Sequence, residues 1–377
     1  MVHVMTWQNL STGDGNRMSS WSQAKPYLDF VTTDAGDSAA MHAAGLTVVF
    51  YSNPNRQGPG GPMYVNDETM FAHDCNNNRI DSLGVGDGKY LMDPHSTDLA
   101  GTWTTYVQRL LDNGSWFDFV FEDKADDIDK TSATPCNWNQ TDWSTASNGL
   151  DTALTQKIIF NSLSHTSTDG GQPHVSPSFA LIGTTAGGMS EDCYVKNNNE
   201  MRYKLSWEAT ELTEIDMAQA HKYFVCNGGM NLDGAANVTA RIYQFASYVL
   251  TYDPSTTILE TQFTTYSGLT VYPESQLVAK NPVLPQPTDP ATLMQLGGSF
   301  GRQYKACYFH GNYVGPCAAV VNSNQPGRPA VPFPWSSTYH HTLLVAGGGM
   351  LDGGTADLNG PAPPATMESG TAVIAFP

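Results

Sequence analysis

The sequence predicts an α/β fold: a (β/α)8 TIM-type barrel over residues 1–283, then a small antiparallel β module over residues 284–377. Three observations predict it. Apolar, strand-length runs alternate with helix-length segments through the first two thirds of the chain, which implies parallel pairing with right-handed crossovers. Several of these runs end in an acid or an amide, the position at which barrels of this kind carry functional groups. Near residue 283 the character changes to a Pro-rich connector, Asn281-Pro-Val-Leu-Pro-Gln-Pro-Thr-Asp-Pro, and then to short β-like runs parted by Gly-rich turns.

The elements follow in chain order. His3 to Trp7 is a strand candidate, either the first barrel strand or an additional one. Leu28 to Thr33 reads as a strand ending at Asp34. Ala35 to Ala44 is Ala-rich and helical, with Gly45 placed to stop it. Leu46 to Tyr51 is the next strand and opens into Ser52-Asn-Pro-Asn. After a Gly/Pro/Asn-rich loop, Lys89 to Met92 makes a short strand ending at Asp93. Leu99 to Leu111 is a helix with Trp103, Tyr106, Leu110 and Leu111 near one face. Phe117 to Phe121 is a strand, Ala153 to Leu163 a helix, Ser178 to Thr184 a strand, and Gly188 to Tyr194 a short strand. Trp207 to Ala220 is a helix and Lys222 to Cys226 a strand leading into Asn227. Val238 to Leu250 is a helix and Thr256 to Phe263 a strand. In the β module, Gln303 to Phe309, Val314 to Asn322, Thr342 to Ala346 and Thr371 to Phe376 are the strands.

Charge narrows the function. Acids outnumber Lys and Arg by 36 to 18, a net charge of −18, so the chain offers no basic face to nucleic acid or to an anionic membrane surface. No stretch reaches the ~20 apolar residues that span a bilayer. The six cysteines form no C-x-x-C pair. Cys307 and Cys317 flank a hairpin-like segment, and Cys193 and Cys226 follow consecutive strands toward one rim. Cys75 and Cys136 then pair by elimination. Three disulfides imply an oxidising compartment, hence an extracellular protein. The amino terminus lacks the basic segment and apolar core of a signal peptide, so a signal is expected to have been removed. Asn9, Asn113, Asn139 and Asn237 stand in glycosylation triplets.

The run Phe117-Asp-Phe-Val-Phe-Glu-Asp ends abruptly in Glu122 and Asp123. Acids are costly in a buried strand unless they emerge at its end. Glu191 and Asp192 stand at a second tip. Two carboxyls flanking one bond are what glycoside hydrolysis requires: one donates a proton to the leaving oxygen, the other attacks the anomeric carbon or activates water. The catalytic candidates are therefore Glu122 or Asp123 as nucleophile or base, with Glu191 as acid. Strand alternation sets Phe117, Phe119 and Phe121 against Asp118, Val120 and Glu122 without fixing which face points inward. Polar groups at other tips, Asp34, Asn53, Asp93 and Asn227, are expected to hold sugar hydroxyls. Tyr51 and Trp7 are expected to stack on sugar rings. His73, His95, Trp138 and Trp143 lie in loops or segments open to similar roles.

Asp123, Asp126, Asp127 and Asp129 lack the Gly and terminal Glu of a helix–loop–helix calcium site, so no metal is expected. No Gly-x-Ser-x-Gly elbow and no Gly-x-x-x-x-Gly-Lys loop occurs, and no cofactor is expected.

The segments Ala44-Gly-Leu-Thr-Val-Val-Phe-Tyr-Ser-Asn-Pro-Asn and Phe117-Asp-Phe-Val-Phe-Glu-Asp resemble glycoside-hydrolase barrels related to the α-amylase-like group. In those, a strand reading Asp-Gly-Val-Phe-hydrophobe-Asp carries an acid. Here Phe119 stands where that pattern has Gly, and Glu122 precedes Asp123, so the resemblance leaves the choice between the two acids open. Gly301-Arg-Gln-Tyr, Ala318-Ala-Val-Val-Asn, Met350-Leu-Asp-Gly-Gly and Gly370-Thr-Ala-Val-Ile are similar to the β segment after such barrels. The resemblance implies a barrel with a carbohydrate substrate and names no particular sugar. A non-catalytic carbohydrate-binding or assembly-forming protein on the same scaffold is the alternative.

Overall fold

The computed structural model describes residues 3–7, 21–23, 25–33, 38–61, 64–81, 88–112, 116–123, 133–152, 159–163, 168–169, 172–173, 185–196, 199–228, 237–261, 272–295, 297–348 and 353–377. Eight strands share one sheet: β1 (His3–Trp7), β2 (Phe30–Thr33), β3 (Thr47–Ser52), β4 (Phe119–Glu122), β5 (Ile159–Leu163), β6 (Gly187–Ser190), β7 (Tyr223–Gly228) and β8 (Thr257–Thr261). Each pairs in parallel with its neighbours, and β1 lies between β2 and β8, so the ring closes as a barrel. His3–Trp7 is thus the first barrel strand.

Alternation along these strands sorts the core into two layers. Phe30, Val49, Phe119, Phe121, Met189, Val225 and Ile258 pack inside the ring. Val31, Val48, Phe50, Val120, Phe224 and Leu259 point outward into the larger helix-side cluster. Phe30, Phe119 and Tyr223 meet edge-on or tilted, with centroids 5.6–6.2 Å apart, and plug the interior below the C-terminal mouth. Gly187 opens β6 where a Cβ would stand 2.0 Å from the Tyr223 carbonyl oxygen, so only glycine lets β6 and β7 approach there.

The described crossovers carry α1 (Ser38–Ala43), α2 (Thr97–Asp112), α3 (Gln140–Thr152), α4 (Lys204–Gln219) and α5 (Val238–Thr251). Gly45, at φ 82°, follows α1 in the left-handed conformation expected of it. In α2, Leu99, Trp103 and Val107 recur every four residues and are buried, and the Ser96 hydroxyl caps the first turn on Leu99 N at 3.2 Å. From Ala240 to Thr251, α5 is buried on all sides. It packs against strands of a second, antiparallel sheet, ordered β9 (Leu277–Pro282), β10 (Phe300–Phe309), β11 (Asn312–Asn322), β13 (Thr371–Phe376) and β12 (His341–Thr342). Arg241 anchors this contact. Its guanidinium bonds both oxygens of Glu274 at 2.5 and 2.8 Å and lies 3.9 Å over the Tyr272 ring.

Three sequence expectations are corrected. Ile159 to Leu163 is a barrel strand, not the end of a helix; Ile159-Phe-Asn-Ser-Leu is β-branched and aromatic where it pairs with β4 and β6. Tyr90–Leu91 is not a barrel strand and pairs antiparallel with Arg56–Gln57 inside the long loop after β3. The antiparallel sheet starts at Leu277, so the expected boundary at residue 283 falls just after its first strand. Ser178 to Thr184 lies outside the described residues. All three disulfides join the expected pairs, Cys75–Cys136, Cys193–Cys226 and Cys307–Cys317. Among the described residues no helix is long and apolar enough to cross a membrane.

Candidate active site

The C-terminal mouth of the barrel collects polar side chains from five strands. Residues 119 and 121 of β4 face inward, so Asp123, on the same alternation, turns into the mouth while Glu122 turns with Val120 toward the helix layer. The structure therefore separates the two acids that the sequence left as alternatives. Glu122 is fully buried on the outer side. Asp123 Oδ2 accepts a 2.6 Å hydrogen bond from the Tyr51 hydroxyl and a longer one, 3.5 Å, from the Asn53 amide. Its backbone N–H donates to the Ser52 carbonyl at 2.8 Å, which extends the β3–β4 ladder past the strand ends. Asp123 Oδ1 has no hydrogen-bond partner.

Tyr51 stacks on Phe121, centroids 6.0 Å apart and 21° from parallel, which fixes its ring and aims its hydroxyl at Asp123. Burial raises the Tyr51 pKa above that of a free phenol. The Asp123 charge, its hydrogen bond and the Glu191 charge add to the rise, and Arg56 opposes it. Tyr51 therefore stays a donor at any working pH.

Glu191 follows β6 on the alternation of Met189, an interior residue. The turn that carries it is held firmly. Asp192 takes a left-handed φ of 52°, and its carbonyl accepts from Arg202 Nε at 2.5 Å. Cys193 N donates to the Asn227 carbonyl at 2.7 Å, and the Cys193–Cys226 disulfide ties the turn to β7.

Asn227 on β7 and Glu260 on β8 stand side by side in register, on the interior alternation of Val225 and Ile258. Both are fully buried. Neither Glu260 oxygen has a hydrogen-bond partner. Burial drives the Glu260 pKa well above the carboxyl range, and the Glu191 charge adds to this. The adjacent Asn227 amide pulls the other way without reaching hydrogen-bond geometry.

Of the expected site residues, the structure brings together Tyr51, Asn53, Asp123, Glu191 and Asn227. Asp93 stands apart, in a separate cleft where it accepts from His95 Nδ1 at 2.8 Å. Asp34 and the side chain of Trp7 lie outside the described residues, as do Asp126, Asp127 and Asp129. Sequence reasoning missed Glu260. Its signal was present in Thr257-Ile-Leu-Glu-Thr, an apolar strand carrying an acid, the same pattern that singled out Phe119-Val-Phe-Glu.

No protein-family model matches the chain, and no curated protein matches it. Solved structures share its path distantly. Ega3 of Aspergillus fumigatus, in complex with galactosamine, is 12% identical, with a TM-score of 0.40 over 69% of this chain and 91% of that one. The glycoside hydrolase domain of PelA from Pseudomonas aeruginosa is 10% identical, with a TM-score of 0.45 over 71% of this chain and 96% of that one. The α-galactosidase AgaA from Geobacillus stearothermophilus, in complex with stachyose, is 9% identical, with a TM-score of 0.48 over 99% of this chain and 55% of that one. These likenesses are too distant to assign any residue a role.

Proposed function

We propose that the chain is a secreted glycoside hydrolase on a (β/α)8 TIM-type barrel, cleaving a polysaccharide or oligosaccharide with Asp123 and Glu191. The observation that carries this reading is the gathering of three carboxyls, Asp123, Glu191 and Glu260, on the inner face of one barrel mouth, with Asp123 clamped by Tyr51 and Asn53. Barrel enzymes place their chemistry at this end of the strands. Carboxyls crowded into one mouth cannot all ionise, so some keep their protons, an arrangement of little structural use and of direct catalytic use.

Glu191 gives its proton to the glycosidic oxygen as the bond to the anomeric carbon breaks. Asp123, through the oxygen that Tyr51 and Asn53 leave free, attacks that carbon or takes a proton from the attacking water. Tyr51 and Asn53 orient the carboxylate, and Asn227 and Glu260 form the polar floor beside Glu191. The β module, from Leu277 onward, buttresses α5 and is structural in this reading. Three disulfides fit an oxidising, extracellular setting.

Turnover of a polysaccharide panel with product analysis tests the proposal. Glu191→Gln removes the transferable proton and keeps the shape, so it should abolish cleavage and leave sugar binding largely intact. Full activity in Glu191→Gln would assign the acid elsewhere, and binding without any cleavage by the unaltered protein would make this a carbohydrate-binding protein.

A further inference from the structure

A second cleft of about 330 Å³ opens between the loops that follow β3 and β4, and none of the mouth carboxyls lines it. Its size suits a small ligand. Both walls leave C-terminal strand ends and enter the first turns of α2 and α3, so the cleft lies on the same barrel end as the mouth. The Asn55 carbonyl, four residues past Tyr51, accepts from Met92 N at 2.9 Å beside Asp93 and links the two places.

The cleft is preformed. The Cys75–Cys136 disulfide and the bond from Cys136 N to the His73 carbonyl, 2.9 Å, lock one wall to the other. Asn137, at φ 60°, turns the chain so that Trp138 lines the opening, packed at 5.1 Å on Trp143. Trp143 is 3% exposed and its indole N–H has no partner. His95 spans the floor between Asp93, at 2.8 Å, and Asp142, at 3.0 Å. Burial opposes its charge, but the hydrogen bonds and charges of the two carboxylates outweigh burial and raise its pKa. The carboxylates of Asp93 and Asp142 line the cleft beside the imidazoles of His73 and His95, within a chain of net charge −18 that disfavours an acidic ligand. A half-buried indole beside exposed amides and carboxylates is the chemistry that holds a pyranose, by C–H stacking on the ring and hydrogen bonds to hydroxyls.

We propose that this cleft is an accessory subsite that binds a saccharide chain free of acidic groups, apart from the mouth. The ligand class rests on the reading of the mouth as a glycoside-hydrolase site; the cleft itself does not.

A glycan microarray carrying neutral, amino and acidic oligosaccharides, probed with Asp123→Asn and with Asp123→Asn/Trp138→Ala, tests it. The parent variant should retain non-acidic chains, and loss of Trp138 should weaken retention by about tenfold or more with an unchanged melting temperature. Asp142→Asn, an exposed change, should weaken it in the same direction if Trp138→Ala proves unstable. Equal retention with and without Trp138, retention of acidic chains alone, or a glycan attached at Asn139 and filling the cleft would overturn the proposal. If Trp138-dependent retention persists in a protein that cleaves nothing, the mouth reading fails and the subsite stands. If cleavage persists while Trp138→Ala binds like its parent, the subsite alone fails.

Discussion

The Tyr51 hydroxyl donates to Asp123 Oδ2 at 2.6 Å and joins the tips of two adjacent barrel strands. Hydrogen bonds to charged groups contribute about 1.5–3 kcal/mol. Tyr51→Phe keeps the stack on Phe121 and removes only this donor. Its kcat should fall by about ten- to a hundredfold with KM little changed. A variant with unaltered kcat would remove Tyr51 from the catalytic arrangement.

Glu260 should keep its proton at neutral pH, because it is buried without a hydrogen-bond partner beside Glu191. An infrared difference spectrum between the protein and Glu260→Gln at pH 7 should contain a protonated-carboxyl stretch. A carboxylate band in its place would show that Glu260 is ionised.

How much of this was legible in the sequence depends on the range of the interactions involved. Period-two alternation and Gly45 act locally, and they located β3, α1 and the strand tips. Cys193–Cys226 and Cys307–Cys317 pair as expected because they lie beside elements that the alternation finds, and Cys75–Cys136 follows by elimination. Ile159 to Leu163 was misread because a short apolar run has no distinctive period, and only pairing with β4 and β6 makes it a strand. The choice between Glu122 and Asp123 needed the barrel interior, since alternation alone cannot say which face is inside. Asp93 followed an apolar run as the others did, but that run belongs to a loop hairpin, which carried it to a different cleft.

The Cys193–Cys226 disulfide closes a 33-residue separation around the Glu191 turn. Replacing both cysteines with serine should cost about 2–4 kcal/mol of stability and lower turnover by loosening that turn. Urea unfolding and activity at a temperature where the variant is folded give the two readings. Unchanged activity in the folded variant would show that Asp192, Arg202 and the Asn227 carbonyl suffice to place Glu191.

Within α4, Glu214 is fully buried and accepts a 2.6 Å bond from the Tyr194 hydroxyl. Burial raises its pKa to about 8, while Tyr194, Thr251 and Arg302 oppose the shift. The folded value is above the unfolded one, so its stabilising contribution is fully present below about pH 4.5 and is lost as the pH rises toward about 8. Thermal stability should therefore fall across this window, and Glu214→Gln should flatten the fall, gaining at least about 1 kcal/mol at pH 8. Parallel melting curves for the two proteins would place the pH dependence elsewhere.

Arg241 and Glu274 are almost fully buried and paired at 2.5 Å between α5 and the start of the antiparallel sheet. Arg241→Met leaves the Glu274 charge uncompensated and should destabilise by about 3–5 kcal/mol in urea unfolding. A loss below about 1 kcal/mol would show that water reaches Glu274 and relieves it.

Reducing-end release from a polysaccharide panel, measured side by side for the protein and its Asp123→Asn variant, tests the pairing of Asp123 with Glu191 most directly. The protein should release reducing ends from at least one polysaccharide, and Asp123→Asn should do so at least about a thousandfold more slowly. Equal rates in the two proteins, or no release from any polysaccharide by the folded, unaltered protein, would contradict it.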